Sequence, residues 1–268
     1  MHRASYHNHT VFSDGAETPA NFLKQALILG IDILGFADHY YKNPNDTEPF
    51  PDWALKPHLE ERYFNVLADL RCRAPIEIRM GLEFDWLDGS AEWLAPMAKD
   101  PRLDYAIGSV HYVGNQGFDI SRTLWEQMNQ DQIDAFHVHY WHAVREMAES
   151  KLFDIAGHLD LIKKFAFYPS IDVTPLIRDA LDAIKASDMA IELNTSGWRK
   201  DCHDCYPSEA ILRAAFHRGI PVTVSADAHR ARYATASFSH GYDYMARAGY
   251  THIARFRNRE RFLEPLEY

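Results

Sequence analysis

Short runs rich in β-branched and aromatic residues alternate along this chain with longer stretches of helical character. The short runs predict seven strands, over residues 4–10, 32–39, 76–86, 105–113, 153–160, 189–196 and 221–229. The longer stretches predict helices over residues 19–29, 57–73, 131–150, 174–187 and 207–218. This alternation indicates an α/β fold with a parallel sheet, and seven strands without a linker favour a closed or nearly closed barrel. We therefore expect one domain over residues 1–268.

Two polar loops stand out between these elements. Residues 41–56 are rich in proline, asparagine and aspartate, and residues 113–123 follow the fourth predicted strand. Loops at one end of a barrel commonly carry or cover a binding site. Each of these two loops is therefore a candidate lid over one end of the barrel.

The composition, with 47% hydrophobic and 25% charged residues, is that of an ordinary globular protein. The formal net charge is −10, and no lysine or arginine cluster is long enough to follow a phosphate backbone, so we expect no nucleic-acid partner. The three cysteines provide no disulfide framework. No apolar run suggests a signal peptide or a membrane span, which predicts a cytoplasmic protein without a membrane partner. The pattern gives no indication of oligomeric state.

Histidine is unusually frequent, with 15 residues, and it is the commonest metal ligand in proteins. Six histidines and three acidic residues lie at or just beyond the predicted strand ends: His7, His9, Asp14, His39, Glu83, His111, His158, Asp227 and His229. In α/β barrels the active site is built at the C-terminal ends of the strands. Nine such ligands exceed the needs of one ion and suit two or three first-row divalent ions.

The H-x-H spacing alone does not identify a metal site. Residues i and i+2 of a strand point to the same face, so His7 and His9 can converge on one ion. His137 and His139 have the same spacing but lie in a predicted helix, where such positions are about 200° apart. We therefore interpret His137 and His139 as surface or interface residues of a helix.

Two further motifs are left out of the predicted site. Cys202 and Cys205 have the spacing of a redox pair or of half a zinc site, but no second pair accompanies them. Asp38 precedes His39 and points to the opposite face if the strand continues. We interpret the cysteines as incidental loop thiols and exclude Asp38 from the ligands.

These motifs resemble those of the PHP (polymerase and histidinol phosphatase) family of metal-dependent phosphoesterases. The matching positions span nearly the whole chain: His7-x-His9 with Asp14, Asp38-His39, Glu83, Ser109-Val110-His111, Gly157-His158 and Asp227-x-His229. Residues 158–165, 192–200 and 225–229 are most similar to the branch of the family that hydrolyses histidinol phosphate. The resemblance implies a distorted (β/α)7 barrel of the TIM type, with a trinuclear metal site at the C-terminal ends of the strands.

The resemblance also implies how the ligands are shared among the ions. The first ion would be held by His7, His9, Glu83 and Asp227, the second by Glu83 as a bridge with His111 and His158, and the third by Asp14, His39 and His229. Zinc, manganese, iron and cobalt all suit this set of nitrogen and oxygen donors.

The implied activity is hydrolysis of L-histidinol phosphate in histidine biosynthesis, by attack of a hydroxide that bridges metal ions. Three divalent ions outweigh three carboxylates, and this positive excess suits a small phosphorylated substrate. One alternative is a PHP phosphoesterase for a nucleotide or sugar phosphate. Another is an amidohydrolase, although its usual bridging lysine at strand four is replaced here by His111. A non-catalytic metal-binding module is a further alternative.

Candidate substrate contacts lie close to the same strand ends. Arg199 is expected to clamp the phosphate, since its planar fork can bind two oxygens together, and it joins Glu83 and Asp227 as a candidate catalytic residue. Asp119 can meet an ammonium group of the substrate. The aromatic residues Phe118, Trp86 and Trp198 are candidates to stack on an imidazole or simply to pack in the core. One of the neighbouring Lys163 and Lys164 could face the site, but we expect the two to form a solvated pair.

Overall fold

Seven parallel strands follow one another around a barrel in the order in which they occur in the chain. The structure, a computed structural model, describes residues 3–45 and 50–266. Its strands are β1 (Ala4–Ser5), β2 (Ile33–Tyr40), β3 (Glu77–Asp85), β4 (Tyr105–Ser109), β5 (Tyr112–Val113), β6 (Gln116–Gly117), β7 (Ile155–Ala156), β8 (Ala190–Asn194), β9 (Val222–Ser225), β10 (His252–Arg257) and β11 (Glu260–Pro265). The barrel consists of β1, β2, β3, β4, β7, β8 and β9. Its edges meet at a parallel bridge between Asn8 and Ala228, which confirms the predicted α/β barrel.

Helices cover the outside of the barrel. They are α1 (Pro19–Leu29), α2 (Glu60–Arg73), α3 (Ala91–Ala98), α4 (Arg122–Glu126), α5 (Gln130–Glu149), α6 (Thr174–Ala186), α7 (Glu209–His217) and α8 (Phe238–Ala248). Short 3₁₀ segments occur at Pro57–Leu59, Leu161–Lys163, Thr195–Arg199 and Ala231–Tyr233. The five predicted helices are confirmed within a few residues, whereas α3, α4 and α8 were not predicted. Across residues 3–45 and 50–266, no helix has the length and apolar character needed to cross a membrane.

The bounds of α1 follow from local sequence signals. The Thr18 side chain accepts a hydrogen bond from the backbone N–H of Asn21, and Pro19 occupies the first turn, where its missing N–H costs nothing. Gly30 then adopts a φ of 65° and ends the helix. The helix therefore begins and ends where the sequence predicts.

A C-terminal hairpin closes the N-terminal end of the barrel. β10 and β11 pair in antiparallel fashion around a two-residue turn at Asn258 and Arg259. The ring of Phe256 on β10 packs edge-on against Tyr6 inside the barrel at 5.9 Å and lies 6.5 Å from Tyr105. These three rings are at most 1% exposed, so the barrel interior is a dry apolar core at this end.

Hydrogen bonds fix this hairpin to the barrel. The backbone N–H of Phe256 donates to the Tyr6 hydroxyl at 3.1 Å. The Arg259 guanidinium donates to the Asp154 carboxylate at 2.6 Å and to the Leu152 carbonyl at 2.9 Å. These hydrogen bonds pair the Phe256 N–H and the Arg259 guanidinium where the hairpin covers the barrel.

Candidate metal centre

The nine predicted ligand residues all lie at the C-terminal end of the barrel, and they form one continuous cluster. Their closest members are buried, with His7 and His9 at 0% and Glu83 at 1% exposure. Asp14 and His229 lie at the outer edge, with side chains 31% and 41% exposed. The cluster therefore runs from the barrel interior to the solvent.

Glu83, at the end of β3, occupies the centre of this cluster. Its Oε2 lies 3.1 Å from His7 Nε2, 3.4 Å from His9 Nε2 and 3.2 Å from His39 Nδ1. Its Oε1 lies 2.9 Å from His158 Nε2 and 3.7 Å from His111 Nε2. One carboxylate thus faces five histidines with both of its oxygens, the arrangement expected of a group that bridges two ions.

Two further carboxylates complete the outer part of the cluster. Asp14 Oδ2 is 3.0 Å from His229 Nε2 and 4.0 Å from His39 Nε2. Asp227 Oδ1 is 3.2 Å from His9 Nε2 and 3.8 Å from His7 Nε2. The assignment of these ligands to three ions, which the family resemblance implies, stays a prediction. Within the described part of the chain, four sets have donor atoms close enough to hold an ion, namely His9 with Asp14, His39 and His229; His7 with Glu83 and His158; His7 with His9 and Asp227; and His39 with Asp85 and His111.

The turn that carries Asp14 is fixed by Asp38. The Asp38 carboxylate accepts hydrogen bonds from the Thr10 backbone N–H at 2.7 Å and from the Ser13 hydroxyl at 2.6 Å. At Gly15 an added Cβ would lie 2.0 Å from the His9 carbonyl oxygen, so only glycine fits this turn. Asp38 therefore supports a predicted ligand and, as expected, is not a member of the set of nine.

Asp227 has a positive φ, a conformation that is uncommon for residues other than glycine. Its φ is 51°, in the left-handed region, where a residue with a Cβ is disfavoured. Strained residues of this kind cluster at functional sites, where the surrounding structure holds them. In this conformation the Asp227 carboxylate faces His9 after β9 has ended.

Two buried carboxylates that the sequence analysis did not identify contact the Nδ1 atoms of predicted ligand histidines. Glu192 Oε1 lies 2.6 Å from His7 Nδ1, and Asp85 Oδ1 lies 2.6 Å from His111 Nδ1. Because an ionised carboxylate only accepts, each Nδ1 carries the proton and each Nε2 is free to bind an ion. Asp85 lies two residues from Glu83 on β3, and Glu192 lies two residues from Asn194 on β8. Side chains at i and i+2 of a strand point to the same face, so this spacing could have identified both acids from the sequence.

The cluster shifts the pKa values of its members in opposite directions. Burial disfavours ionisation of Glu83, but His7 and His39 outweigh burial and hold its pKa well below the usual range. Burial also disfavours protonation of His7, but Glu192, Glu83 and Asp227 hold the pKa of His7 well above its usual value. For His9, burial and the charges of His229 and His39 lower the pKa to about 4.

Several buried ring nitrogens at this site have no hydrogen-bond partner among the described residues. They are His7 Nε2, both ring nitrogens of His9 and His158 Nδ1. A buried polar atom left unsatisfied costs about 1–3 kcal/mol, so such a group in a folded protein calls for a ligand. Imidazole and carboxylate donors suit first-row divalent ions, and the residues present therefore fit a metal centre.

A cavity of about 620 Å³ opens onto the cluster. Arg199 lies on its wall and makes only long contacts, to the carbonyl oxygens of Thr195 at 3.4 Å and Ala226 at 3.3 Å. Asp119 also lines the cavity, but its carboxylate pairs with Lys164 at 3.1 Å. The prediction of a solvated lysine pair is wrong: Lys164 faces the cavity, and Lys163 is buried against Asp160 and Asp204, each at 2.7 Å.

The predicted stacking rings do not lie on the cavity wall. Phe118 is 0% exposed and packs against Tyr140 at 5.5 Å, and Trp86 is 3% exposed and packs against Phe153. Both side chains belong to the hydrophobic core, which disfavours a stacking role for either ring. Trp198 stacks instead on His240, with ring centroids 4.0 Å apart.

Trp53 of the first candidate lid loop lines the cavity, together with Tyr112, which directly precedes the second loop, and with Tyr206 and Tyr233. Trp53 and Tyr112 face the cavity, and Trp53 packs edge-on against the predicted ligand His39 at 5.4 Å. Residues 46–49 of the first loop lie outside the described part of the chain. Residues 112–117 form the β5–β6 hairpin, and Asp119 and Ile120 of the second loop line the cavity.

The histidine pair in α5 does not join the cluster. His137 is 3% exposed and its Nε2 lies 3.0 Å from the Phe167 carbonyl oxygen, while His139 Nε2 lies 2.7 Å from Asp88. The two histidines contact different partners and do not converge on one ion, as their helical position predicts. His137 is a buried residue of α5, however, and not a surface residue.

Comparison with known proteins agrees with this geometry. The PHP domain family model matches residues 5–196. A probable histidinol-phosphatase of Deinococcus radiodurans is 34% identical over 232 residues, which cover 84% of this chain and 85% of the relative. The histidinol-phosphatase of Bacillus subtilis is 26% identical over 254 residues, which cover 86% of this chain and 95% of the relative.

Solved structures share this fold. The histidinol phosphate phosphatase of Lactococcus lactis subsp. lactis, complexed with zinc, L-histidinol and phosphate, has a TM-score of 0.77 at 22% identity, and the match covers 97% of this chain and 98% of that chain. A putative histidinol phosphatase of Listeria monocytogenes has a TM-score of 0.74 at 21% identity, with 89% of this chain and 99% of that chain covered. At this level of identity the likeness shows that these chains share one fold.

Proposed function

The chain belongs to the PHP domain family, and we propose that it is a metal-dependent phosphomonoesterase that hydrolyses L-histidinol phosphate to L-histidinol and phosphate in histidine biosynthesis. The observation that carries this proposal is the position of Glu83, whose two oxygens face five histidines on the floor of an open cavity. The relatives from Deinococcus radiodurans and Bacillus subtilis point to histidinol phosphate as the substrate. A cytoplasmic location and a single domain over residues 1–268 stay predictions.

The proposed centre holds three divalent ions. The first would be held by His7, His9, Glu83 and Asp227, the second by Glu83, His111 and His158, and the third by Asp14, His39 and His229. Bound there, divalent ions supply a hydroxide at neutral pH and stabilise charge on the phosphoryl oxygens. Zinc is favoured because the fold relative from Lactococcus lactis was solved with zinc, although manganese, iron and cobalt suit the same donors.

Basic residues of the cavity orient the phosphate. Arg199, Lys200 and Arg230 line one side of the cavity, and the weak backbone contacts of Arg199 leave its guanidinium available for two phosphate oxygens. Asp119 lies on the same cavity and can meet the substrate ammonium, in exchange for part of its contact with Lys164. We propose Trp53, in place of Phe118 and Trp86, as the ring that packs against the substrate imidazole.

The test is a metal count combined with a substrate panel. The protein is purified, its metal content is measured by elemental analysis, and phosphate release is compared for histidinol phosphate, nucleotide phosphates and sugar phosphates. We expect three divalent ions per chain and the highest kcat/KM with histidinol phosphate. Fewer than two ions per chain would contradict the multinuclear centre. A higher kcat/KM with another phosphate would contradict the substrate while leaving the chemistry in place.

A further inference from the structure

Asp85 lies at the end of β3, two residues beyond Glu83, and is 1% exposed. Its Oδ1 lies 2.6 Å from His111 Nδ1, and its Oδ2 lies 3.1 Å from His39 Nδ1. The two histidines come from different strands and belong to different ions in the centre proposed above. We propose that Asp85 is a positioning residue that couples the second and third metal sites through these two hydrogen bonds; this inference rests on the proposed metal centre.

Each hydrogen bond orients one imidazole towards its own ion. An ionised carboxylate has no proton to donate, so both histidines carry their proton on Nδ1 and keep the Nε2 lone pair for a ligand bond. The Nε2 of His111 faces His158 Nε2 at 3.1 Å, which is the second site. The Nε2 of His39 faces Asp14 Oδ2 at 4.0 Å, which is the third site.

The two bonds cannot be adjusted independently, because the carboxylate is one rigid plane. When an ion fixes His111, the Asp85 plane is fixed as well, and Oδ2 is then held where it receives the Nδ1–H of His39. The second site therefore prepares the third, and the reverse holds by thermodynamic linkage. The burial of Asp85 keeps water from replacing either bond.

Glu192 is the matched control for this arrangement. It is equally buried, and its Oε1 lies 2.6 Å from His7 Nδ1. Its second oxygen accepts from the backbone N–H of His158 at 2.8 Å and not from another imidazole. Glu192 thus orients one metal-binding ring, whereas Asp85 orients two.

The experiment is a titration of the metal-free protein with Zn²⁺ in competition with a chromophoric chelator, which gives a dissociation constant for each ion. We expect wild-type protein to take up two of its ions cooperatively. Asp85→Ala should lower the affinity for two ions, each by about 10–100-fold, because the loss of a hydrogen-bond partner of a metal ligand typically has an effect of this size. It should also abolish the cooperativity. Asp85→Asn retains one acceptor oxygen and should weaken one of these two ions. Glu192→Ala should weaken one ion and leave the cooperativity intact.

Melting curves of the metal-free variants show whether each one folds, and the wild-type data test the proposal even if Asp85→Ala does not fold. If wild-type protein takes up all of its ions independently, the coupling is overturned. It is also overturned if Asp85→Ala lowers the affinity for only one ion or for none. Anomalous scattering from Zn²⁺-soaked crystals gives a second test, since an ion bonded directly to Asp85 overturns the positioning role. If wild-type protein holds fewer than two ions, the proposed centre fails; if it holds three without cooperativity, only the coupling fails.

Discussion

At the N-terminal end of the barrel the buried hydroxyls of Tyr6 and Tyr105 have partners, whereas at the C-terminal end several buried histidine nitrogens have no hydrogen-bond partner among the described residues. The Tyr105 hydroxyl donates to the Phe36 carbonyl oxygen at 2.9 Å, and the Tyr6 hydroxyl accepts from Phe256. His9 is just as buried, yet neither of its ring nitrogens has a hydrogen-bond partner among the described residues. The barrel strands thus lead from a packed core at the N-terminal end to buried histidine nitrogens at the C-terminal end that have no hydrogen-bond partner in residues 3–45 and 50–266. Paired polar groups indicate a structural role, and unpaired ones indicate a ligand.

The largest effect is expected at the open end, from Glu83→Ala. This change removes the carboxylate that faces five histidines, so at least two ions lose a ligand. We expect phosphate release to fall at least about 10⁴-fold, which corresponds to about 5.4 kcal/mol, and the metal content to fall with it. Elemental analysis and a phosphate assay measure both quantities. Glu92→Ala, on the exposed first turn of α3, is the control that should change neither.

The next largest effect is expected at the closed end, from Phe256→Ala. Removing this buried ring leaves a cavity in the barrel core, and the free energy of unfolding should fall by about 3–5 kcal/mol. The metal content of the folded protein should not change. Denaturant unfolding and elemental analysis test this prediction, with Phe262→Ala, whose ring is 49% exposed, as the control. Loss of bound metal from folded Phe256→Ala protein would show that the two ends are not independent.

A smaller effect is expected from Arg199→Ala, on the cavity wall. A hydrogen bond to a charged group contributes about 1.5–3 kcal/mol, so KM for the phosphate substrate should rise about 10–150-fold. The change leaves the ligands in place, and kcat should fall less than KM rises. Steady-state kinetics separates these effects, and Arg145→Ala on the surface of α5 serves as a control. An unchanged KM would place the phosphate clamp elsewhere.

Removing the ions should make stability depend on pH. Burial disfavours the protonated ring of His111, but Asp85 and Glu83 outweigh burial and raise its pKa to about 9. The folded protein therefore holds a proton that the unfolded chain, with a histidine pKa near 6.5, releases. This stabilisation is complete below about pH 6.5 and is lost as the pH rises through about 9. Chelated protein should melt at a lower temperature at pH 9 than at pH 6.5, and the metal-loaded protein should show a smaller change over this interval.

The smallest effect is expected from His139→Ala, in the helical pair. His139 and its partner Asp88 are 40% and 47% exposed, and exposed ion pairs contribute at most about 1 kcal/mol. Metal content and turnover should match wild type. A loss of metal from this variant would contradict the conclusion that strand geometry, and not H-x-H spacing alone, decides which histidine pair binds metal.

The fold could be predicted where its signals are local. Thr18, Pro19 and Gly30 set the bounds of α1 through bonds within a few residues. The β10–β11 hairpin was missed, because Arg255 interrupts its apolar pattern. In the structure Arg255 is 6% exposed and its Nε pairs with Glu264 at 3.1 Å. That cross-strand contact depends on the register of the hairpin, which the charges in the sequence do not reveal.

The site could be predicted because the C-terminal ends of parallel strands lie at the same end of a barrel. That rule alone brings His7, Glu83 and Asp227 together, because each lies at or just beyond the C-terminal end of a barrel strand. It does not identify Asp85 or Glu192, whose hydrogen bonds to histidines join side chains that are far apart in the sequence. Nor does it show which way a ring turns at a strand end, which is why the sequence left open whether Phe118 and Trp86 contact the substrate or pack in the core.

The hairpin that closes the barrel also sets the order in which the protein can mature on the ribosome. The last barrel strand ends at Ser225, and Phe256 follows about thirty residues later. At synthesis rates of about 5–20 residues per second, all seven strands emerge roughly 2–6 s before the ring that fills their base. During that interval the rings of Tyr6 and Tyr105 lack their cover, and the nascent barrel exposes apolar surface. The residues of the ion-binding end therefore emerge before the ring that fills the core beneath them.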